Sequence, residues 1–91
     1  MAEFLNKNIK YLRLMKKISQ QKLADMIGVN RSTISRIEND EIETTIDNAY
    51  KISVYFNIPL GDLVSKDLSL IKYKDKEDKE KENVNKNRIW F

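Results

Sequence analysis

The stretch Ser19-Gln20-Gln21-Lys22-Leu23-Ala24-Asp25-Met26-Ile27-Gly28-Val29-Asn30-Arg31-Ser32-Thr33-Ile34-Ser35-Arg36-Ile37-Glu38-Asn39 decides the fold. Ser19 is a helix-capping residue type, and Leu23, Ala24 and Ile27 follow at spacings of three or four, which puts them on one face of a short helix over about Gln20 to Ile27. Gly28 suits the left-handed stop, because a residue without a Cβ enters that conformation at no steric cost. Asn30 is a second capping type. After it, Ile34 and Ile37 are the inward residues of another helix that reaches Glu38 or Asn39.

The same periodicity extends to both sides. From Glu3 to Lys16, Leu5, Ile9 and Leu12 recur at helical spacing with Met15 in the same stripe, which reads as a first helix. Thr45, followed by Asp47 and Asn48, opens a fourth helix whose expected buried stripe is Ile46, Ala49, Ile52 and Phe56. That helix should stop near Asn57, before Pro59. Pro59 fits the start of a last short helix, where its missing amide hydrogen costs little, with Leu60, Leu63 and Val64 as the apolar face. Beyond Ser65, the alternation of Leu68 and Leu70, or of Ile71 and Tyr73, fits a short strand and a helical turn equally. The stretch Lys72 to Lys86 is nearly all Lys, Asp, Glu and Asn and cannot bury enough surface to offset its ordering entropy. Disorder is expected there, although pairs such as Lys76 with Glu80 and Glu77 with Lys81 suit a solvated helix. Ile89, Trp90 and Phe91 form an apolar end suited to docking on this protein or on a partner. The reading is one all-α domain over residues 1–64 and a charged, flexible tail over 65–91.

Composition removes most chemistry. The 91 residues allow one small core, and the absence of Cys and His excludes disulfides, zinc sites built on those residues and His-based proton relays. No nucleophile has a plausible activating base and no Gly-rich phosphate loop occurs, so neither an enzyme nor a cofactor or metal site is expected. Met1 to Lys10 carries Glu3, Lys7 and Lys10 and no long apolar run, so the expectation is a cytoplasmic protein without signal peptide or membrane span. The net charge of +3 is unevenly spread: residues 1–39 hold eight Lys or Arg against three Asp or Glu, while residues 40–64 hold one against five. A local basic excess suits a polyanion, because Lys and Arg displace its condensed counterions.

Two short helices joined by Gly28, Val29 and Asn30, with small Ala24 inside, meet the requirements of a helix-turn-helix. With Ile34 and Ile37 facing inward, Arg31, Ser32, Ser35 and Arg36 point outward together. An arginine presents a planar fork that can bond both O6 and N7 of guanine in a major groove. Arg31 and Arg36 are therefore the expected base readers.

The string Ser19 to Ala24 followed by Ile27 to Asn39 resembles the Cro and phage-repressor type of helix-turn-helix protein, the Xre family. The resemblance spans about residues 5 to 64 and includes Ile9-Lys10-Tyr11-Leu12-Arg13, Ile46-Asp47 and Leu60-Gly61-Asp62-Leu63. It implies a compact five-helix, lambda-repressor-like DNA-binding fold and a transcriptional role, expected as a homodimeric repressor of a double-stranded operator. It also implies that Arg31, Ser32 and Arg36 read bases, with Ser35 a weaker contact. Gln20, Thr33 and Asn39 fall at phosphate-contacting positions, and Arg13 with Glu38 falls at an internal ion pair. Any exposed part of the Leu60, Leu63 and Val64 stripe is a possible dimer interface. Where the family commonly has Gly after the Asn, this chain has Asp40. The following Glu41 and Glu43 would repel phosphate unless the loop turns away. An alternative role is a protein-interaction module or antitoxin-type regulator whose C-terminal tail binds a partner.

Overall fold

The computed structural model describes residues 3–71. Its helices are α1 (Leu5–Met15), α2 (Gln20–Ile27), α3 (Arg31–Glu38), α4 (Ile46–Phe56) and α5 (Leu60–Ser65), followed by a 3-10 turn at Leu68–Leu70. No strand occurs among the described residues, and the open reading at Leu68 and Leu70 resolves into a helical turn, while Tyr73 lies outside the described residues. The expectations for residues 72–91, namely disorder or solvated helix and a docking Ile89-Trp90-Phe91 end, lie outside the described residues.

Local chemistry sets the helix ends. The Ser19 hydroxyl accepts from the Lys22 amide at 2.9 Å, and the Thr45 hydroxyl accepts from the Asn48 amide at 3.2 Å. Asn30 caps α3 through its extended backbone alone, with no side-chain bond. Gly28 takes φ +78 and lets the amides of Gly28 and Val29 both donate to the Ala24 carbonyl. Asn57 ends α4 in the same left-handed region at φ +58. Asn is one of the few side chains that tolerates it.

Packing joins these elements around Ile9, Leu23, Ala24, Ile34, Ile37, Ile52 and Leu63, none more than 1% exposed. α2 and α3 pack on each other, α1 lies against α3, α4 and α5, and α4 also touches α2. Two residues leave their expected stripes. Met15 is 53% exposed because it is the last residue of α1, and Ile46 is 68% exposed because the inward face of α4 begins one turn later, as Ala49, Ile52, Ser53 and Phe56.

The core also extends beyond residue 64. Leu68 is fully buried, and Asn8, itself fully buried on α1, holds this segment in place. Its side-chain amide donates to the carbonyls of Leu63 at 2.7 Å and Lys66 at 2.6 Å, and its oxygen accepts from the Leu68 amide at 3.0 Å. Three backbone groups that leave the helical pattern at the end of α5 thereby find partners away from water. Asn8→Ala strands them, at about 1–3 kcal/mol for each buried group left unsatisfied. Urea titration should accordingly show a loss of at least about 2 kcal/mol in unfolding free energy.

Outside this anchor, the Lys7 ammonium lies 2.7 Å from the Asp67 carboxylate. The hydrogen bond from Lys7, and after it that from the Ser69 hydroxyl, holds the Asp67 carboxyl below its ordinary value of 3.8. In the unfolded chain Asp67 takes up its proton at higher pH than in the folded one. This contact therefore contributes its full stability above the ordinary value and loses it as pH falls through the lower folded value. Acid unfolding followed by circular dichroism should show a shallower slope below about pH 4 in Lys7→Met than in the parent chain.

Candidate nucleic-acid interface

Each turn of α3 divides its residues between core and solvent. Ile34 and Ile37 are 0% and 1% exposed, so the helix is locked to α2 along one side. Arg31, Ser32 and Arg36 are exposed on the other side, with Ser35 and Thr33 half-buried between the two. Asn39 is exposed at the helix end, where its amide donates to the Ser35 carbonyl at 3.0 Å.

A chain of polar contacts runs beneath this surface. The Glu38 carboxylate, its side chain only 2% exposed, accepts from Arg13 Nε at 2.6 Å and Arg13 Nη2 at 3.0 Å. Arg13 spends a third donor, Nη1, on the Ile18 carbonyl at 2.7 Å and so also secures the turn between α1 and α2. Glu38 Oε1 accepts a further bond from Gln20 Nε2 at 3.0 Å, and Gln20 Oε1 accepts from Arg31 Nη1 at 3.0 Å. The result is an ordered relay, Arg13 to Glu38 to Gln20 to Arg31, linking the first three helices. A carboxylate can only accept, so Gln20 must turn its nitrogen toward Glu38, and its oxygen is left to face the Arg31 guanidinium. Among the described residues, one N–H of the Gln20 amide has no acceptor and is available to an outside one.

Arg36 stands apart from that relay. Its Nε lies 3.8 Å from Glu41 Oε1, with both side chains more than half exposed, a spacing worth little against water. The acidic loop is divided in its direction. Asp40, at φ +61, places its carboxylate on Asn6 of α1 at 3.0 Å, and Asn6 also binds the Ile42 carbonyl at 2.8 Å and the Thr44 hydroxyl at 2.7 Å. Glu41 is left beside Arg36 on the exposed side of α3, and Glu43 is exposed. Periodicity singles out neither Asn6 nor Asn8, since both are polar and the helical period is read from the apolar Leu5, Ile9 and Leu12. An Asn spaced three from Leu5 and four from Leu12, as Asn8 is, was the available signal.

The stripe expected at a dimer interface is mostly used within the protomer. Leu63 is fully buried, and Leu60 and Val64 are half-buried against the core, because α5 needs this face to close over α1 and α4. Among the described residues no group of three Asp or Glu is placed to hold a metal ion, and no helix is long and apolar enough to cross a membrane.

Residues 9–63, more than half of the chain, match the helix-turn-helix family. The chain belongs to that family. Its helix-turn-helix region is 31% identical over 65 residues to the transcriptional regulator SutR of Escherichia coli, covering 71% of this chain and 36% of SutR. The chain thus spans about a third of that relative. It is 30% identical over 59 residues to an HTH-type transcriptional regulator of Methanocaldococcus jannaschii, covering 65% of this chain and 89% of the relative. Among solved structures, the DNA-binding domain of the P22 C2 repressor superposes with a TM-score of 0.65 at 28% identity, covering 75% of this chain and 90% of that domain. The family and the fold are those of DNA-binding transcription regulators, not of enzymes.

Removing one member of the buried pair leaves the other charged and desolvated, at a cost of about 3–5 kcal/mol. Arg13→Met should lower unfolding free energy by about that amount in urea, and Arg36→Ala, whose partner is exposed, by less than about 1 kcal/mol.

Proposed function

We propose that this chain binds double-stranded DNA sequence-specifically, with α3 in the major groove, and represses transcription as a homodimer. What supports the reading most is the braced Arg31: a guanidinium exposed at the first turn of α3 and hydrogen-bonded through Gln20 to a buried carboxylate. Arg31 and Arg36 are the base readers in this proposal, with Ser32 and Ser35 as lesser contacts. Gln20, through its free N–H, and Thr33 and Asn39 hold phosphates. These contacts set register while the groove contacts discriminate sequence. One eight-residue helix spans only a few base pairs, so two copies on half-sites about 10 bp apart, or a multiple of that, give useful affinity. The site of action is the cytoplasm.

Selection of duplexes from a random pool at stated salt should yield a two-fold symmetric sequence. On that sequence Arg31→Ala should cost about 1–3 kcal/mol, concentrated at one base pair of each half-site. Gln20→Ala should weaken every sequence, with a further loss at the base pair read by Arg31, and leave the salt slope unchanged, because a neutral amide displaces no counterion. Uniform weakening by Arg31→Ala in a footprint would remove it from base reading.

A further inference from the structure

Among the described residues, α4 keeps an exposed apolar stripe after the core, the α3 surface and the C-terminal anchor are accounted for. Ile46, Tyr50 and Val54 lie at successive turns of α4 and are 68%, 59% and 60% exposed. The inward side of the same helix is Ala49, Ile52, Ser53 and Phe56, so the stripe is lateral and does not belong to the protomer's core. An isolated exposed apolar residue is ordinary, but three aligned at consecutive turns make a contiguous ridge.

We propose that this ridge is the contact between two copies of the chain, α4 packing antiparallel on α4 about a two-fold axis at Tyr50. The occupant follows from the pattern. A two-fold contact must be self-complementary, and residues equally far from the axis meet. With Tyr50 at the centre, Ile46 meets Val54 of the partner subunit, and the two tyrosines stack over the axis. Asp47 and Lys51 lie one turn apart along one flank of the ridge, with opposite charge. Antiparallel packing sets Asp47 beside the partner's Lys51, and symmetry repeats the pair. A parallel arrangement would bring like charges level with each other and is disfavoured. Lys51 holds the Ile27 carbonyl at 3.3 Å with one N–H and has two to spare.

The ridge also sets the strength of association. A fully buried aromatic contributes about 150–250 Å², so three partly exposed side chains offer a few hundred Å² per copy, below the roughly 800 Å² of a stable interface. The free chain therefore associates weakly, in the micromolar range, and a duplex with two half-sites completes the dimer by raising the effective concentration. The need for two copies rests on the DNA-binding reading, whereas the choice of face does not.

The chain contains no cysteine, so a single introduced thiol reports only on contacts between copies. In the full chain without DNA, Tyr50→Cys should cross-link through a short bis-maleimide at least about tenfold faster than Leu14→Cys, which replaces an apolar side chain 53% exposed on α1. Sedimentation of the parent chain at about 100 µM should show dimer, and Tyr50→Asp should remain monomeric with an unchanged helical spectrum. Equal cross-linking rates, or a parent chain that is monomeric at this concentration, would mean that the ridge covers something else and overturn the pairing. Because no DNA is present, an error in the DNA-binding reading can neither produce nor erase these results.

Discussion

A carboxylate nearly sealed from water organises this molecule. Glu38 lies at the end of α3 with 2% of its side chain exposed, and desolvating a charge is tolerable only when its lone pairs are filled. Arg13 and Gln20 fill them from two other helices. Replacing Arg13 and Glu38 by well-packed apolar residues would hold the helices together at similar or greater stability. It would not hold Gln20 in one orientation. The polar arrangement therefore contributes less to stability than to the direction in which Arg31 points, and direction is what recognition requires.

The trio works because the scaffold around it is rigid. Gly28 closes the turn between α2 and α3, and two isoleucines on α3 sit against α2 with almost no exposure. α3 cannot rotate about its own axis without exposing one of them. On the far side of α1, Asn8 performs a related service for the chain end, tying Leu63, Lys66 and Leu68 to a single side chain. α1 is thus the common strut. Asn6, Asn8 and Arg13, each on a different part of its surface, secure the loop after α3, the exit from α5 and the end of α3 respectively.

The five helices and their order were legible because each combines an apolar period with a cap or a stop that acts locally. Ser19, Gly28, Thr45 and Asn57 act on their own neighbours, so a linear reading reaches them. The side that Ile46 presents was not legible, since period alone allows it either edge of the stripe and only the positions of α1, α2 and α5 decide. The branching of Asn8 to residues 55 to 60 positions away leaves no periodic trace. Within the candidate site, the outward set Arg31, Ser32 and Arg36 followed from two inward isoleucines. The bond from Gln20 to Arg31 depended on the meeting of two helices, and no spacing encodes it.

The two arginines that face outward together differ in how they are held, and under the proposed DNA-binding reading the difference has consequences in a groove. Arg31 is bonded to an amide whose own orientation is fixed, so part of the rotamer freedom it would lose on binding is already lost in the free protein. Arg36 is 59% exposed and, among the described residues, has only a distant, exposed carboxylate for company. It must give up rotamer freedom on binding and must also displace Glu41 from the neighbourhood of the approaching phosphates. A preordered fork discriminates more sharply between bases, because a mismatch cannot be relieved by swinging aside, whereas a mobile one adapts. Sequence discrimination should therefore concentrate at Arg31. Glu41 penalises loose, charge-driven binding most strongly, since a contact made only through phosphate has no base hydrogen bonds to offset the repulsion.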